Sequence, residues 1–375
     1  RHLFWRNLRD PYAREWQNQC GRWDLLDVVR CMHALRPVGI QWPEHEPGRP
    51  SFKLEHLTQA NGLAHEAAHD ALSDVRATIA LARLIKQRQP KLWDFCLRLR
   101  KKDAVLSEMA LAQEQGLPFL HVSGRYGVEH GCIAIVWPLS PHPVNKNEVI
   151  VWNLAQDPSE LLSMNAASIR ARLFSRSEDL PDGVTRLPIK TIHINKSPIV
   201  IGNLKTLDAA MATKWGIDVQ QSLRHAELAA AQVGKLAGLW PEVFDRTVGP
   251  DEARDVDEDL YGGFLGNDDR RTLQQLRSIS PAQLAEKRPA FADPRLDELL
   301  FRYRARNFPD TLSEAEQAQW LEHRVHRLHE GAGGGLTLQA FMERIDALGE
   351  SADERAQEIL GALVDYATEI APDDD

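Results

Sequence analysis

Between residues 119 and 202 the chain carries five short runs rich in β-branched residues, FLHVSGRYG, CIAIVWPL, EVIVWNL, RLPIKTIHI and PIVIG, divided by Gly, Pro and Asn. Runs of this length and punctuation are strands rather than helix turns, and the change of texture after residue 115 announces a small β-domain. On either side the spacing is helical. In RWDLLDVVRCMHALRP the apolar residues Leu25, Leu26, Val29, Met32 and Leu35 recur on one helix face, and the pattern stops before Pro37, as helices do. A loop with Pro43, Pro47, Gly48 and Pro50 follows, then a short helix closed by Gly62 and a long one closed before Pro90. In that long helix Leu72, Val75, Ile79 and Ala82 fall on one stripe. Helices resume near residue 208, the acidic stretch VGPDEARDVDEDLYGG marks a boundary near 248–257, and HEGAGGG reads as an inter-helix loop because it lacks the Lys-Ser/Thr of a phosphate loop.

Totals set the class. With 43% hydrophobic and 26% charged residues the chain is globular and long enough for two or three cores. A net charge of −9 argues against a general nucleic-acid coat protein but leaves room for a local basic groove. The four cysteines, Cys20, Cys31, Cys96 and Cys132, form no C-x-x-C pair and no disulfide framework, which points to a reducing, cytoplasmic setting. No apolar run is long enough for a membrane helix, and a monomer without membrane attachment is the expected state. The opening RHLFWRNLRDPYAREW has no signal-peptide core, and a first residue of Arg rather than Met suggests a fragment.

Two chemistries claim HEAAHD at 65–70. H-E-x-x-H is the zinc-protease string, with His65 and His69 as ligands and Glu66 as general base, but no Glu occurs between Glu66 and Glu108 to complete the set. Asn61-Gly62 just upstream also suggests that the helix begins only around Asp70. The other reading is His69-x4-Asp74, a base beside a carboxylate that holds a hard divalent ion. Taken alone, Asp70 and Asp74 also suit plain helix-start roles, as an N-cap and as a first-turn acid.

Resemblance separates these readings. SFKLEHLTQANGLAHEAAHDALSDVRATIALARLIKQRQP, RWDLLDVVRCMHALRPVGIQWPE, HVSGRYG, HINKSP, LYGGF and LLFRYRARNFPDTLSEAEQAQWLEHR resemble, in order and over essentially the whole chain, the bacterial exonuclease I family of DEDD-type nucleases. The resemblance implies an α+β multidomain protein. Residues 1–90 would be the C-terminal part of an RNase H-like α/β nuclease domain, 91–245 an SH3-like domain and 250–375 a helical C-terminal domain. It also implies a single-stranded-DNA-specific 3′→5′ exonuclease that releases 5′-mononucleotides with Mg²⁺ at a two-metal site. His69 would deprotonate water and Asp74 would be a metal ligand. The family's D-x-E motif and a further metal-binding Asp would precede Arg1. The expectation is therefore a chain that holds single-stranded DNA, or the tail of a partner, without cleaving it unless those carboxylates are supplied.

Other residues follow by position in matching segments. Lys53 in SFKLEHL corresponds to a basic residue near the substrate phosphates. Tyr12 and Trp16 in DPYAREW, and Tyr261 in DLYGGF, correspond to aromatics along the DNA path, while Arg1, Arg30, Asn147 and Lys190 are further DNA contacts. Core packing is the competing reading for the aromatics, and plain surface solvation for the rest. The family also docks the acidic C-terminal tail of single-strand DNA-binding protein, and Arg36 in HALRPVGI corresponds to a basic residue of that pocket.

Overall fold

The computed structural model describes residues 2–64, 70–110, 116–231, 233–245 and 255–372. Early in the chain come helices α1 (His2–Arg6), α2 (Ala13–Trp16), α3 (Leu25–Leu35), α4 (Leu54–Ala60), α5 (Ala71–Arg88), α6 (Pro90–Arg98) and α7 (Lys102–Glu108). A hairpin of β1 (Glu44–Glu46) and β2 (Arg49–Pro50) precedes α4. Local chemistry sets the starts. Asp24 caps α3 by accepting from the Leu26 amide, and Asp70 caps α5 by accepting from the Ser73 amide, each satisfying an amide that has no partner in the helix.

All five β-branched runs are strands: β3 (Phe119–Val122), β4 (Ile133–Pro141), β5 (Glu148–Asn153), β6 (Ile189–His193) and β7 (Ile199–Ile201). They form one antiparallel sheet in the order β6-β5-β4-β3-β7. Every residue of β3 and β7 is buried, which is why these runs are apolar throughout, His121 excepted, instead of alternating. Helices α8 (Ala166–Phe174), α9 (Ala209–Lys214), α10 (Val219–Ala230), α11 (Val233–Leu236) and α12 (Trp240–Val243) add side chains to the same core. The core takes Val28, Val29 and Met32 from α3 together with Phe119, Ile133, Ile150 and Trp152 from the strands. The Trp215 indole donates to the Ala34 carbonyl at 2.9 Å and ties the end of α9 to α3.

The C-terminal region is helical: α13 (Asn267–Leu276), α14 (Pro281–Glu286), α15 (Arg295–Asn307), α16 (Glu314–Leu328), α17 (Leu338–Gly349) and α18 (Glu354–Ile370). The HEGAGGG segment is a turn between α16 and α17, with Gly331, Gly333 and Gly334 at positive φ. Two compact units result, Cys20–Thr247 and a second of Arg1–Gln19 with Val248–Asp375. In the second, Trp5 and Leu8 insert among Leu273, Leu276, Leu296 and Leu299. The acidic run there is not a free linker. Arg302 takes Asp255 and Asp257, Arg306 also takes Asp257, Arg327 takes Glu258 and Arg295 takes Asp259.

The stripe that stands out in the sequence of α5 is not the buried one. On α5 the buried residues are Ala77, Leu81 and Ile85, whereas Leu72, Val75 and Ile79 are 57%, 55% and 45% exposed. The helix carries two apolar stripes, and periodicity cannot say which one meets α3, α4 and α6. Leu81→Ala is therefore expected to cost about 2–5 kcal/mol in urea unfolding, and Ile79→Ala less than about 1 kcal/mol, the range of exposed sites.

Candidate functional site

The unit Cys20–Thr247 gathers cations at one place. Arg30 on α3 pairs with Asp27 one turn earlier at 2.8 Å. Its guanidinium lies so close to the turn after β3 that a Cβ on Gly124 would sit 2.7 Å from Arg30 Nη2 and would push the guanidinium aside. Lys190 belongs to β6, with β5 and β4 between it and β3 in the sheet order. The sheet nevertheless curls enough for Lys190 Nζ to reach His121 Nε2 at 2.9 Å and to stand 5.1 Å from the Tyr126 ring centroid.

Hydrogen bonding settles the roles. His121 Nδ1 lies 2.9 Å from the Ile199 carbonyl, an acceptor, so Nδ1 carries the proton. Nε2 is then a bare acceptor for the Lys190 ammonium. Burial pushes the His121 pKa down to about 3, with the Lys190 charge adding to the effect, so the imidazole is neutral under all working conditions. Burial also pulls Lys190 down to about 8; Asp27 raises it, while Arg125 and Arg30 lower it. Three cations thus stand near Asp27, with Glu129 acting on the same neighbourhood through Cys132. Arg30 Nε and Tyr126 Oη are buried here with no hydrogen-bond partner among the described residues. Unsatisfied buried donors beside excess positive charge suit an anionic ligand with several acceptor oxygens. Arg125, which resemblance did not single out, belongs to this group.

The second unit gathers aromatics. The Tyr12 ring meets Tyr261 at 6.4 Å and Phe264 at 5.6 Å, both edge-on. Tyr261 and Phe264 are 66% and 83% exposed, while Tyr12 is half-buried, with its hydroxyl 3.5 Å from the Leu260 carbonyl. Two exposed rings held by a third lie at the surface rather than in the core. Phe264 was missed, although it closes the same LYGGF string that pointed to Tyr261.

The remaining predicted residues are dispersed. Asn147 lies in the turn before β5, where its side chain accepts from Lys102 Nζ at 3.0 Å. Lys53 precedes α4, 67% exposed and 4.0 Å from Glu55. Arg36 caps the C-terminus of α3, is exposed, and donates to the Leu35 and Thr206 carbonyls. Asp74 stands half-buried in the first turn of α5, its amide bonded to the Asp70 carbonyl at 2.9 Å. Arg1, His69, the HEAAH string and the Trp16 side chain lie outside the described residues. Among the described residues no group of three or more His, Cys, Asp or Glu could hold a metal ion. The described donors therefore do not by themselves fit a divalent-metal centre.

Comparison with known proteins resolves the family. The sequence model of the Exonuclease I SH3-like domain matches residues 100–246, and that of the Exonuclease I C-terminal domain matches residues 254–370. The exodeoxyribonuclease I of Escherichia coli (strain K12) is 41% identical over 375 residues, 99% of this chain and 76% of that protein. The chain belongs to the exodeoxyribonuclease I family. Among solved structures, a moderately thermophilic exonuclease I from Methylocaldum szegediense superposes with a TM-score of 0.87 at 43% identity, over 98% of this chain and 77% of that one. E. coli exonuclease I in complex with a dA16 oligonucleotide gives 0.87 at 40% identity, over 99% and 77%. The family name denotes DNA exonucleases, and exonucleases of this family depend on divalent metal.

The cation site has a checkable signature. The Lys190 ammonium is expected to titrate with a midpoint near 8, well below the ordinary lysine value of about 10.4. The charge is complete below that pH and lost above it. The side-chain ¹⁵N resonance followed from pH 6 to 10 reads this directly.

Proposed function

We propose that this chain holds single-stranded DNA, with phosphates at Arg30, Arg125 and Lys190 and bases on Tyr12, Tyr261 and Phe264, in support of 3′→5′ hydrolysis that releases 5′-mononucleotides. The observation that carries the reading is the cation group of Arg30, Arg125 and Lys190 within one unit; the exposed aromatic group of the other unit separately offers the second component that a single strand needs. Arg1, Trp16, Lys53 and Asn147 are assigned as further contacts by their positions in the family pattern. Residues 1–90 are assigned to the nuclease domain, 91–245 to the SH3-like domain and 250–375 to the helical domain.

For the chemistry we assign His69 to take the proton of the attacking water and Asp74 to the divalent ion. Mg²⁺ is the ion proposed, because hard cations prefer carboxylate oxygen. A base whose pKa lies near neutrality suits His69's role. The exposed Arg36 at the end of α3 is assigned to the carboxylate of the single-strand DNA-binding protein tail. A cytoplasmic setting follows from the four unpaired cysteines, three of them buried. No helix among the described residues is long and apolar enough to cross a membrane.

A second reading, binding without cleavage, is favoured by the absence of a metal-holding group among the described residues. One experiment separates the two: a 3′-labelled oligonucleotide incubated with Mg²⁺, with and without EDTA, beside a binding titration. Release of mononucleotides that stops with EDTA is the outcome for the exonuclease. Binding without release selects the second reading, and no binding removes both.

The contacts are separable by salt. Arg30→Ala is expected to weaken binding and to lower the slope of log K against log salt by about 0.7, the value for one lost phosphate contact on a single strand. Tyr261→Ala is expected to cost about 1–3 kcal/mol with the slope unchanged, the signature of lost stacking. Raising pH from 7 to 9 discharges Lys190, so affinity and slope both fall, most steeply near pH 8.

A further inference from the structure

The aromatic group depends on a short loop, and one side chain gathers that loop. Arg295 opens α15, is only 11% exposed, and every arm of its guanidinium is engaged. Nε and Nη2 donate to the two oxygens of Asp293 at 2.9 and 2.6 Å, a bidentate pair that fixes the plane of the guanidinium. Nη1 donates to the Asp259 carbonyl at 2.6 Å and lies 3.4 Å from its carboxylate, while Nη2 also donates to the Gly263 carbonyl at 3.1 Å. The guanidinium carbon stands 5.1 Å from the centroid of the Trp5 ring. One rigid cation thus joins the carbonyls of residues 259 and 263, and between them the backbone must turn. Leu260 is driven into the core at 3% exposure, and Tyr261 is left outside at the head of the turn, with Phe264 just beyond it.

We infer that Arg295 is the positioning residue for the stacking platform: it makes no contact with DNA and acts by holding the 259–263 turn so that Tyr261 and Phe264 stand against Tyr12. Lysine cannot replace it, because a single ammonium cannot span a bidentate carboxylate and two carbonyls at once. The packing of the turn agrees. A Cβ added to Gly262 would fall 2.1 Å from Asp259 Oδ2, so even alanine there would evict the carboxylate that Arg295 faces. The inference rests on the reading of Tyr261 as a stacking residue, and the test treats the two separately.

The measurement is the affinity ratio of the full chain for dT16 over a 16-residue abasic oligonucleotide of equal charge, with the salt slope taken for each variant. The wild-type chain is expected to prefer dT16, and Tyr261→Ala to lower the ratio by about three- to tenfold. Arg295→Lys should lower it by a similar factor, leave the salt slope unchanged, and add nothing when combined with Tyr261→Ala. A mere loss of fold would lower binding to both oligonucleotides and show in the melting curve. If Arg295→Lys does not fold, Gly262→Ala carries the test, with the same drop in ratio expected. Arg295→Lys or Gly262→Ala with a wild-type ratio overturns the inference while leaving the platform intact. So does a reduced salt slope, which would make Arg295 a phosphate contact, or a double variant that falls well below Tyr261→Ala. A wild-type ratio in Tyr261→Ala alone removes the platform reading, and the inference with it.

Discussion

A carboxylate drawn out of water must be met by a cation or it will not stay ionised there. Asp255, Asp257, Glu258 and Asp259 fall within five consecutive residues, and as a bare string they would repel one another into solvent. The helices answer with Arg302 and Arg306 from α15, Arg327 from α16, and Arg295 at the head of α15. Asp257 is 5% exposed, yet its pKa lies below the usual carboxylate range. Burial alone would raise it, and the bonds from Arg306 and Arg302 outweigh that effect. The segment is therefore threaded through charge partners, and the turn that displays Tyr261 begins where the last of those pairs ends.

The other unit meets the same constraint with a different device. Lys190 sits beside two arginines, and Asp27 partly offsets them. Full neutralisation would abolish the attraction for an anion, and no support at all would leave a buried ammonium without an acceptor. His121 supplies that acceptor without supplying charge, because the Ile199 carbonyl holds its proton on the far nitrogen and burial keeps the ring neutral. The outcome is a cation that remains available to a ligand while its own desolvation is partly offset. Its lowered pKa records that the offset is incomplete.

Much of the architecture was legible in the residues. The five β-branched runs are the five strands of the sheet, and the reading of Asp70 as a helix start holds because capping is decided within three residues. The inter-helix loop at HEGAGGG was legible for a similar reason: its lack of Lys-Ser/Thr excluded a phosphate loop, and its glycines provide the positive φ values of the turn. The buried face of α5 was not legible. Leu72, Val75 and Ile79 satisfy the helical period as well as Ala77, Leu81 and Ile85 do, and the choice lies with α3, α4 and α6. Among the candidate site residues, Tyr12 and Tyr261 come together in one unit and Arg30 and Lys190 in the other, whereas Asn147, Arg36 and Lys53 do not join them. Phe264, Arg125 and Arg295 had no sequence signal beyond their neighbours.

The sequence by itself determined where elements begin and end, the β-character of the middle of the chain, and membership of a nuclease family, because these depend on spacings of a few residues or on ordered agreement along the whole length. Only the tertiary structure decided which charges are neutralised and which remain for a ligand. His121 and Lys190 are 69 residues apart, Tyr12 and Tyr261 belong to distant parts of the chain, and Arg295 closes a turn 32 to 36 residues before it. A side chain's protonation, reach and exposure are set by whatever surrounds it in space, and no local rule carries that information.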